Sequence, residues 1–218
     1  MPSAGLEILG LVLAVLGWIS AIVSSILPMW RVSAFLGANI ITAQTTWEGI
    51  WMNCMFQSTG IMQCKTYNSV LDLSPDLQAA RALTIISILV AIVGVMVAIM
   101  GAKFTTCVDE ESAKARVMMA AGVIFIVASL AQLIPVSWSA NTIIREFNNQ
   151  FTPKEQKKEL GAALYLGWAS AAFLLIGGGI LCSSCPPKPK KSYRPPSNMM
   201  HSQTRSLAPS GHNRRDYV

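Results

Sequence analysis

Residues 47–67 read WEGIWMNCMFQSTGIMQCKTY and connect two long apolar parts of the chain. The stretch has no helical period, and its side chains alternate as in a β-strand. The alternation predicts a single strand over 47–57 with two opposite faces. One face carries Trp47, Gly49, Trp51, Asn53, Met55 and Gln57, and the other carries Glu48, Ile50, Met52, Cys54 and Phe56.

A hairpin turn is predicted directly after this strand. The tripeptide at 58–60 places Gly60 where a three-residue loop needs a left-handed residue, and alternation resumes over 61–67. In the resulting register Cys54 lies opposite Cys64. Opposed Cβ atoms in an antiparallel pair are close enough for a disulfide. The sequence therefore predicts one hairpin with one disulfide.

The composition is that of a membrane protein. Of the 218 residues, 52% are hydrophobic and only 13% are charged, about half of the charged share in a soluble domain. The apolar residues fall into four blocks, each long enough to cross a hydrocarbon core of about 30 Å as a helix. The blocks predict spans over residues 6–27, 82–102, 117–137 and 161–182. The predicted fold class is membrane α+β, a four-helix transmembrane bundle with a small extracellular antiparallel β-sheet.

The distribution of charge predicts the topology. The net charge of +6 lies in the last 31 residues, and the rest of the chain is neutral. Basic residues beside a span mark the cytoplasmic side, so both termini are predicted to be cytoplasmic. Residues 28–81 and 138–160 are then extracellular loops, 103–116 is a cytoplasmic loop, and 183–218 is a disordered cytoplasmic tail. The basic residues are spread among prolines without aromatic platforms, which argues against a nucleic-acid partner.

The first apolar block and the cysteines fit this topology. The block lacks the basic n-region of a signal peptide and has a longer apolar core, so we expect it to remain as a span. Cys54 and Cys64 are predicted to lie outside the cell, where disulfides persist. Cys107, Cys182 and Cys185 are predicted to lie inside, where thiols stay reduced.

Further elements are predicted around the spans. Weak alternation over 31–46 predicts one or two strands beside the hairpin, and 69–73 predicts a short helix. Apolar positions beyond Pro135 predict that the third helix continues outside the membrane, followed by one short strand in the second outer loop. Small residues along the fourth span predict close packing against its neighbours. Trp30 and Trp138 are assigned to the aromatic belt at the membrane surface.

The sequence argues against an enzyme. The spans contain Gln132 and hydroxyl groups but no ionisable residue apart from Glu7 at one edge, and ionisable groups would mark a functional site there. Both histidines lie in the tail, and the inner cysteines show no metal-ligand spacing with them. We therefore expect no catalytic site, no metal and no cofactor.

The first outer loop resembles the signature of the claudin family, a Trp followed by Gly-Leu-Trp and two cysteines. The matching residues are Trp30, Trp47, Gly49, Ile50, Trp51, Cys54, Cys64 and Arg81. Ile50 replaces the usual Leu. The resemblance covers the chain except for the tail between Pro187 and Arg214.

The resemblance implies a left-handed four-helix bundle that carries the outer loops as a sheet at tight junctions of the plasma membrane. Members polymerise side by side and meet strands of the neighbouring cell, so the implied partners are further copies, other claudins and the lipid bilayer. The implied function is a strand-forming adhesion protein that seals the paracellular space and sets its ion permeability. The alternative is a claudin-like tetraspan subunit that assists or traffics another membrane protein, but the C-terminal Tyr-Val and the short second loop favour the first. A gap-junction channel would need cysteines in both outer loops, and the second has none.

The resemblance also implies a selectivity position at Lys65, where cation-conducting claudins carry an acid. In the predicted hairpin Lys65 shares a face with Tyr67 and Gln57. No acid shares this face, because Glu48 points to the other one. The hypothesis is that Lys65 opposes Na⁺ passage, giving a barrier or an anion preference. The alternative is an ordinary solvated lysine that salt screens.

Two further sets of contacts are implied by the family. Val70 matches a lateral-contact residue and Phe147 part of the pocket that receives it, whereas Asn148 departs from the usual aromatic. The alternative is that these apolar residues simply cover the sheet. Residues 149–153 differ from the segment of enterotoxin-binding claudins, which argues against toxin binding.

The cytoplasmic side carries two further kinds of candidate site. Tyr217 and Val218, with the terminal carboxylate, suit a PDZ groove, and the resemblance implies scaffolds of the zonula occludens type as partners. Cys182 and Cys185, and more weakly Cys107, are candidates for S-palmitoylation, with unmodified cytosolic thiols as the alternative.

Overall fold

The computed structural model describes residues 4–36, 43–57, 60–69, 71, 73–102, 111–149 and 157–183. Within these residues the helices are α1 (Ala4–Ile26), α2 (Pro75–Gly101), α3 (Glu111–Asn148) and α4 (Ala162–Ser183). The strands are β1 (Arg31–Leu36), β2 (Ala43–Glu48), β3 (Met52–Phe56), β4 (Met62–Thr66) and β5 (Lys158–Leu160). The predicted fold class is confirmed: four apolar helices, each long enough to cross a membrane, carry a small antiparallel sheet.

Two helices are longer than the spans that hydropathy alone defines. Helix α2 begins at Pro75, seven residues before the predicted span, because proline fits the first helical position and Asp76 lies in the positively polarised first turn. Helix α3 has 38 residues, roughly 57 Å, and continues through Pro135 to Asn148 as predicted. The short helix predicted over 69–73 includes two positions outside the described residues.

Serine hydroxyls join neighbouring helices of the bundle. Ser170 on α4 donates to the carbonyl of Gly17 on α1, at an O–O distance of 2.8 Å. Ser129 on α3 donates to α4, and Ser87 on α2 donates to α3, at 2.8 and 2.7 Å. Such bonds hold helices together in lipid, where burial of apolar surface supplies little driving force.

Small residues let α4 approach its neighbours closely, as the sequence predicts. A Cβ at Gly122 on α3 would lie 2.7 Å from the carbonyl oxygen of Gly178, and a Cβ at Gly177 would lie 2.7 Å from the carbonyl oxygen of Gly10 on α1. These backbones meet with no room for a side chain, so the helix crossings depend on glycine.

The five strands form one antiparallel sheet in the order β4-β3-β2-β1-β5. The predicted hairpin is confirmed, with Phe56 opposite Met62 and Cys54 opposite Cys64. The amide of Gln57 donates to the carbonyl of Ile61 at 3.2 Å, which closes the predicted three-residue loop. The strands expected over 31–46 and in the second loop are also present as β1, β2 and β5.

The prediction of one continuous strand over 47–57 is wrong. The chain turns at Gly49-Ile50-Trp51, and the amide of Gly49 donates to the carbonyl of Met52 at 3.0 Å. Strands β2 and β3 are therefore neighbours, with Glu48 opposite Asn53. Trp47 therefore shares a face with Cys54, and Glu48 shares a face with Asn53, which is the reverse of the predicted grouping. The cause is tertiary contact with the helices, which a local alternation pattern does not contain.

The sheet rests on the bundle through a cluster of buried side chains from α2, α3, α4 and the first outer loop. The cluster contains Trp30, Ile50, Leu73, Leu77, Ala80, Val136, Ile143, Ala163 and Leu164. Trp30 was assigned to the membrane surface, and this is wrong, because it is fully buried and its indole N–H donates to the carbonyl of Ser24 at 2.9 Å. Trp138, half exposed, remains consistent with a surface position.

Candidate functional site

The turn at residues 49–51, which we name the signature turn, lies against the end of α1. A Cβ at Gly49 would fall 2.5 Å from the Cα of Pro28, so a side chain has no room at this position. Ile50 is fully buried in the cluster under the sheet. The indole N–H of Trp51 donates to the hydroxyl of Ser25 at 3.1 Å. Each residue of the turn is therefore fixed by contacts outside the sheet, with the end of α1, the residues after it or the buried cluster.

Arg81 on α2 holds the same turn from the other side. Its guanidinium donates through Nε to the carbonyl of Ile50 at 2.8 Å, and Nη2 donates to the same oxygen. The guanidinium carbon also lies 4.7 Å from the centre of the Trp51 ring, which adds a cation–π contact. The turn at 49–51 and Arg81 thus attach the sheet to the bundle.

The disulfide lies away from this junction. Cys54 on β3 and Cys64 on β4 are bonded, with a sulfur–sulfur distance of 2.01 Å. Cys54 is buried opposite Trp47, whereas Cys64 is exposed on the edge strand. The bond ties the edge strand β4 to the part of the sheet that the helices hold.

The sheet face that carries Lys65 has a different charge pattern from the predicted one. Lys65 lies opposite Asn53, and Asn53 lies opposite Glu48. Directly opposed side chains point to one face, so Glu48 shares the face of Lys65, and the prediction that no acid does so is wrong. The error follows from the turn at 49–51, which reverses the alternation. We name this surface the Lys65 face.

Ion pairs join the charged side chains that share this face with Lys65. The Lys158 ammonium on β5 lies 3.0 and 2.9 Å from the two carboxylate oxygens of Glu48. Arg31 on β1 forms a buried pair with Asp76 in the first turn of α2, and its other terminal nitrogen lies 3.9 Å from Glu48. Lys65 itself is exposed, and no carboxylate in the described part of the chain pairs with it.

A concavity of about 600 Å³ lies beside Lys65, lined also by Asn53, Gln63 and Tyr67. The structure thus brings Lys65 and Tyr67 together, while Gln57 lies at the hairpin end and is not among the lining residues. The Tyr67 hydroxyl donates to the carbonyl of Gly49 at 3.3 Å. Burial, and then the negative charge of Glu48, raise the pKa of Tyr67, against the opposing effect of two nearby arginines.

A second concavity, of about 310 Å³, lies between the end of α3, strand β5 and α4. It is lined by Ile143, Ile144, Phe147, Lys158, Glu159, Leu160 and Tyr165. Phe147 is half exposed, and the Lys157 ammonium lies 4.7 Å from the centre of its ring. Asn148, the next residue after Phe147, is exposed and does not line the concavity.

Several predicted site residues lie outside the described residues: Val70, Cys107, Cys185, Tyr217 and Val218. Cys182 near the end of α4 is described, with its sulfur 3.8 Å from the carbonyl oxygen of Met119. Within the described residues, no group of three or more His, Cys, Asp or Glu is placed to hold a metal ion.

Sequence reasoning missed three charged residues: Arg31, Asp76 and Lys158. One signal was available, since Asp76 follows a proline at the start of a helix, where an acid is favourable. Their pairing was not visible, because it joins positions 45 and 110 residues apart.

Comparison with known proteins identifies the family of this chain. The model of the PMP-22/EMP/MP20/Claudin family matches residues 4–181. Claudin-3 of Canis lupus familiaris is 57% identical over 219 residues, which cover 99% of this chain and 100% of that protein. The chain belongs to the claudin family. Claudin-4 of Bos taurus is 56% identical over 88% of this chain and 92% of its own length, and Claudin-4 of Homo sapiens is 53% identical over 97% and 100%.

These identities fix the general function. This claudin is a multi-pass membrane protein of tight junctions, a structural protein and not an enzyme. It interacts with copies of itself and with other claudins. The sequence also predicted a particular likeness to the claudin-4 and claudin-3 group, and this is confirmed. The alternative of an auxiliary or trafficking subunit is not favoured.

Proposed function

We propose that strands of this claudin seal the paracellular space against cations, with Lys65 as the residue that opposes Na⁺. The observation that carries the proposal is the exposed ammonium of Lys65 at the side of an open concavity, without a carboxylate partner in the described part of the chain. Arg31 and Lys158, which lie on the same face, are each paired with an acid. Lys65 is then the charge that a passing ion meets.

The size of the effect follows from Coulomb's law. A unit charge about 6 Å from a passing ion changes its energy by roughly 1–3 kcal/mol at effective dielectric constants between 80 and 20. This corresponds to a several-fold to hundredfold bias against cations. Salt reduces it, since the Debye length is about 8 Å at physiological ionic strength.

The proposal requires the sheet to lie outside the cell. The basic tail predicts cytoplasmic termini, which puts the sheet end of the bundle on the outer side. The Cys54–Cys64 disulfide supports this orientation, because disulfides persist in an oxidising compartment. An epitope tag at Ser58 should be reached by antibody on intact cells. Labelling only after permeabilisation would contradict the orientation and the proposal with it.

The test of selectivity is the replacement Lys65→Asp in a leaky epithelial layer. Dilution potentials should show the permeability ratio of Na⁺ to Cl⁻ rising about threefold or more, because a positive charge is replaced by a negative one. Lys65→Arg keeps the charge and serves as the matched control, with a ratio close to that of the parent. An unchanged ratio in Lys65→Asp, with normal strands in freeze-fracture images, would refute the role of Lys65.

Lateral assembly is proposed to use the concavity at Phe147. An exposed aromatic ring beside an apolar concavity suits an apolar side chain of a neighbouring copy, and Val70 is the proposed residue. Asn148 offers less apolar surface than the aromatic usual in the family. Phe147→Ala should therefore reduce the number of strands at cell contacts. Unchanged strand number in freeze-fracture images would contradict this role.

The C-terminus is proposed to bind PDZ scaffolds of the zonula occludens type. Val218 would fill the hydrophobic pocket, its carboxylate would accept backbone N–H groups, and Tyr217 would lie in the added strand. Deletion of Val218 should abolish pull-down by a scaffold PDZ domain. Retained pull-down would show that another segment binds. Cys182, Cys185 and Cys107 remain proposed palmitoylation sites, which acyl exchange on the purified protein would test.

A further inference from the structure

Glu48 lies on the same face of the sheet as Lys65, two strands away. It lies on β2, and one residue, Asn53 on β3, separates it from Lys65 on β4 along the row. Neighbouring strands are about 4.8 Å apart, so two strand intervals put the backbones of Glu48 and Lys65 about 10 Å apart. This is close to one Debye length. The charge of Glu48 therefore acts on the same ions as Lys65.

Lys158 is placed to cancel that charge. Its ammonium lies within 3.0 Å of both carboxylate oxygens of Glu48, and the two side chains are only 27% and 22% exposed. Lys158 comes from β5 in the second loop, whereas Glu48 and Lys65 belong to the first. The second loop thus supplies a cation to the face that the first loop builds.

Arg31 does not replace Lys158 in this role. Its closest carboxylate is Asp76, a buried partner, while Glu48 is 3.9 Å away. Without Lys158, the two acids Glu48 and Asp76 would share Arg31, and one negative charge on the face would remain uncompensated. With Lys158 present, the four residues are neutral together and Lys65 determines the sign of the face.

We infer that Lys158 is a positioning residue for ion selectivity, which holds Glu48 neutralised so that Lys65 alone sets the charge that a passing ion meets. The inference rests on the proposed function of the Lys65 face. The second loop thus contributes to ion selectivity through the Lys158–Glu48 ion pair and not through direct contact with the passing ion.

A purely structural role for the pair would give a different pattern. Strand β5 is also held by three pairing positions on β1, and the Gly161 amide after it donates to the carbonyl of Trp30 at 3.1 Å. A partly exposed ion pair adds little to such an attachment. If the pair served only to hold β5, removing either partner would have the same consequence.

The test uses opposite changes at the two partners, expressed in the full-length protein in a leaky epithelial layer. Lys158→Met leaves Glu48 uncompensated, so the permeability ratio of Na⁺ to Cl⁻ should rise about two- to fivefold. Glu48→Gln leaves Lys158 uncompensated, so the ratio should fall by a similar factor. The double variant restores the net charge and should return the ratio to near that of the parent. Lys158→Arg keeps the charge and should match the parent.

The outcomes separate the inference from the function on which it rests. A change in the same direction in both single variants, or no change in either, would overturn the role of Lys158 if Lys65→Asp still shifts the ratio. If Lys65→Asp also leaves the ratio unchanged, the Lys65 face does not meet the ions and the proposed function fails as well. Surface biotinylation and strand counts of each variant ensure that the ratios compare assembled protein.

Discussion

Two short turns of the same sheet are held in opposite ways. The signature turn at 49–51 joins β2 to β3 and is packed against α1 and α2. The hairpin turn joins β3 to β4, and its described residues Gln57, Gly60 and Ile61 are exposed; a Cβ at Gly60 would meet nothing within 4 Å. Both turns contain a glycine, yet each needs it for a different reason.

The reason at Gly60 is local. Its φ of 78° lies in the left-handed region, which side chains disfavour. The reason at Gly49 is tertiary, because the backbone of Pro28 occupies the place of a side chain. The comparison shows that one turn is specified by its own residues and the other by the helices beneath it. Function is divided in the same way, since the buried turn attaches the sheet and the exposed strand after the hairpin carries Lys65.

The largest expected effect comes from Gly49→Ala. The new methyl group would lie 2.5 Å from the Cα of Pro28, and backbone cannot move aside as a side chain can. We expect a loss of roughly 3 kcal/mol or more in the free energy of unfolding. Thermal unfolding of the purified protein in detergent, followed by tryptophan fluorescence, measures the loss. Surface biotinylation should show poor delivery to the cell surface.

Gly60 supplies the matched control. Gly60→Ala should cost about 1 kcal/mol from backbone strain alone, and Gly60→Asn should cost less, because asparagine tolerates the left-handed region. If Gly49→Ala and Gly60→Ala have equal effects, the distinction between a tertiary and a local turn is wrong.

The same distinction explains what the sequence could predict. The hairpin, its register and its cysteine pair follow from residues no more than fourteen positions apart, from Met52 to Thr66, and local rules are sufficient there. The four spans follow from composition, because lipid contact demands apolar surface whatever the detailed packing. The signature turn instead continues the alternation of its neighbours, from Trp47 to Asn53, so that nothing local distinguishes it from a strand.

The next largest effect is expected for the disulfide. Replacing Cys54 and Cys64 together by serine removes a link across a sequence separation of 10 residues, worth about 2.5 kcal/mol in the chain-entropy account. The loss should be confined to β3 and β4, since the signature turn keeps its contacts with α1 and α2. Hydrogen exchange of the purified protein should show faster exchange in β4, with exchange at residues 49–51 unchanged.

Cys182→Ser is the control for replacement of a cysteine. Its side chain is only partly buried and its sulfur lies 3.8 Å from the carbonyl oxygen of Met119, so the free energy of unfolding should change by less than about 1 kcal/mol. Faster exchange at the signature turn in the disulfide variant would show that the two turns are coupled more tightly than their contacts indicate.

The charges of the site were the least predictable part, for a physical reason. Successive side chains of a strand point to opposite faces, so the predicted face of a residue depends on where the strand is taken to continue. Because the turn at 49–51 was not recognised, Glu48 was assigned to the opposite face, whereas it lies on the Lys65 face. The contacts of Glu48 with Lys158 and Arg31 depend on the strand order, in which β1 lies between β2 and β5. Sequence spacing carries no information on that order, whereas the choice of Lys65 itself needed only the hairpin register.

The smallest expected effect lies at Tyr67, which links the end of β4 to the signature turn. It follows β4, and its hydroxyl donates to the carbonyl of Gly49. Tyr67→Phe should cost about 1 kcal/mol near neutral pH, because the bond is long and only half-buried. Folding raises the pKa of Tyr67 above 10.0, so the unfolded chain loses the phenol proton at a lower pH than the folded protein does. The free energy of unfolding of the parent should therefore decrease as the pH rises from about 10 towards the folded pKa. This contribution of Tyr67 to the decrease should be absent in Tyr67→Phe and present in Tyr165→Phe. Equal alkaline slopes of the unfolding free energy in the parent and Tyr67→Phe would mean that Tyr67 does not connect the exposed strand to the buried turn.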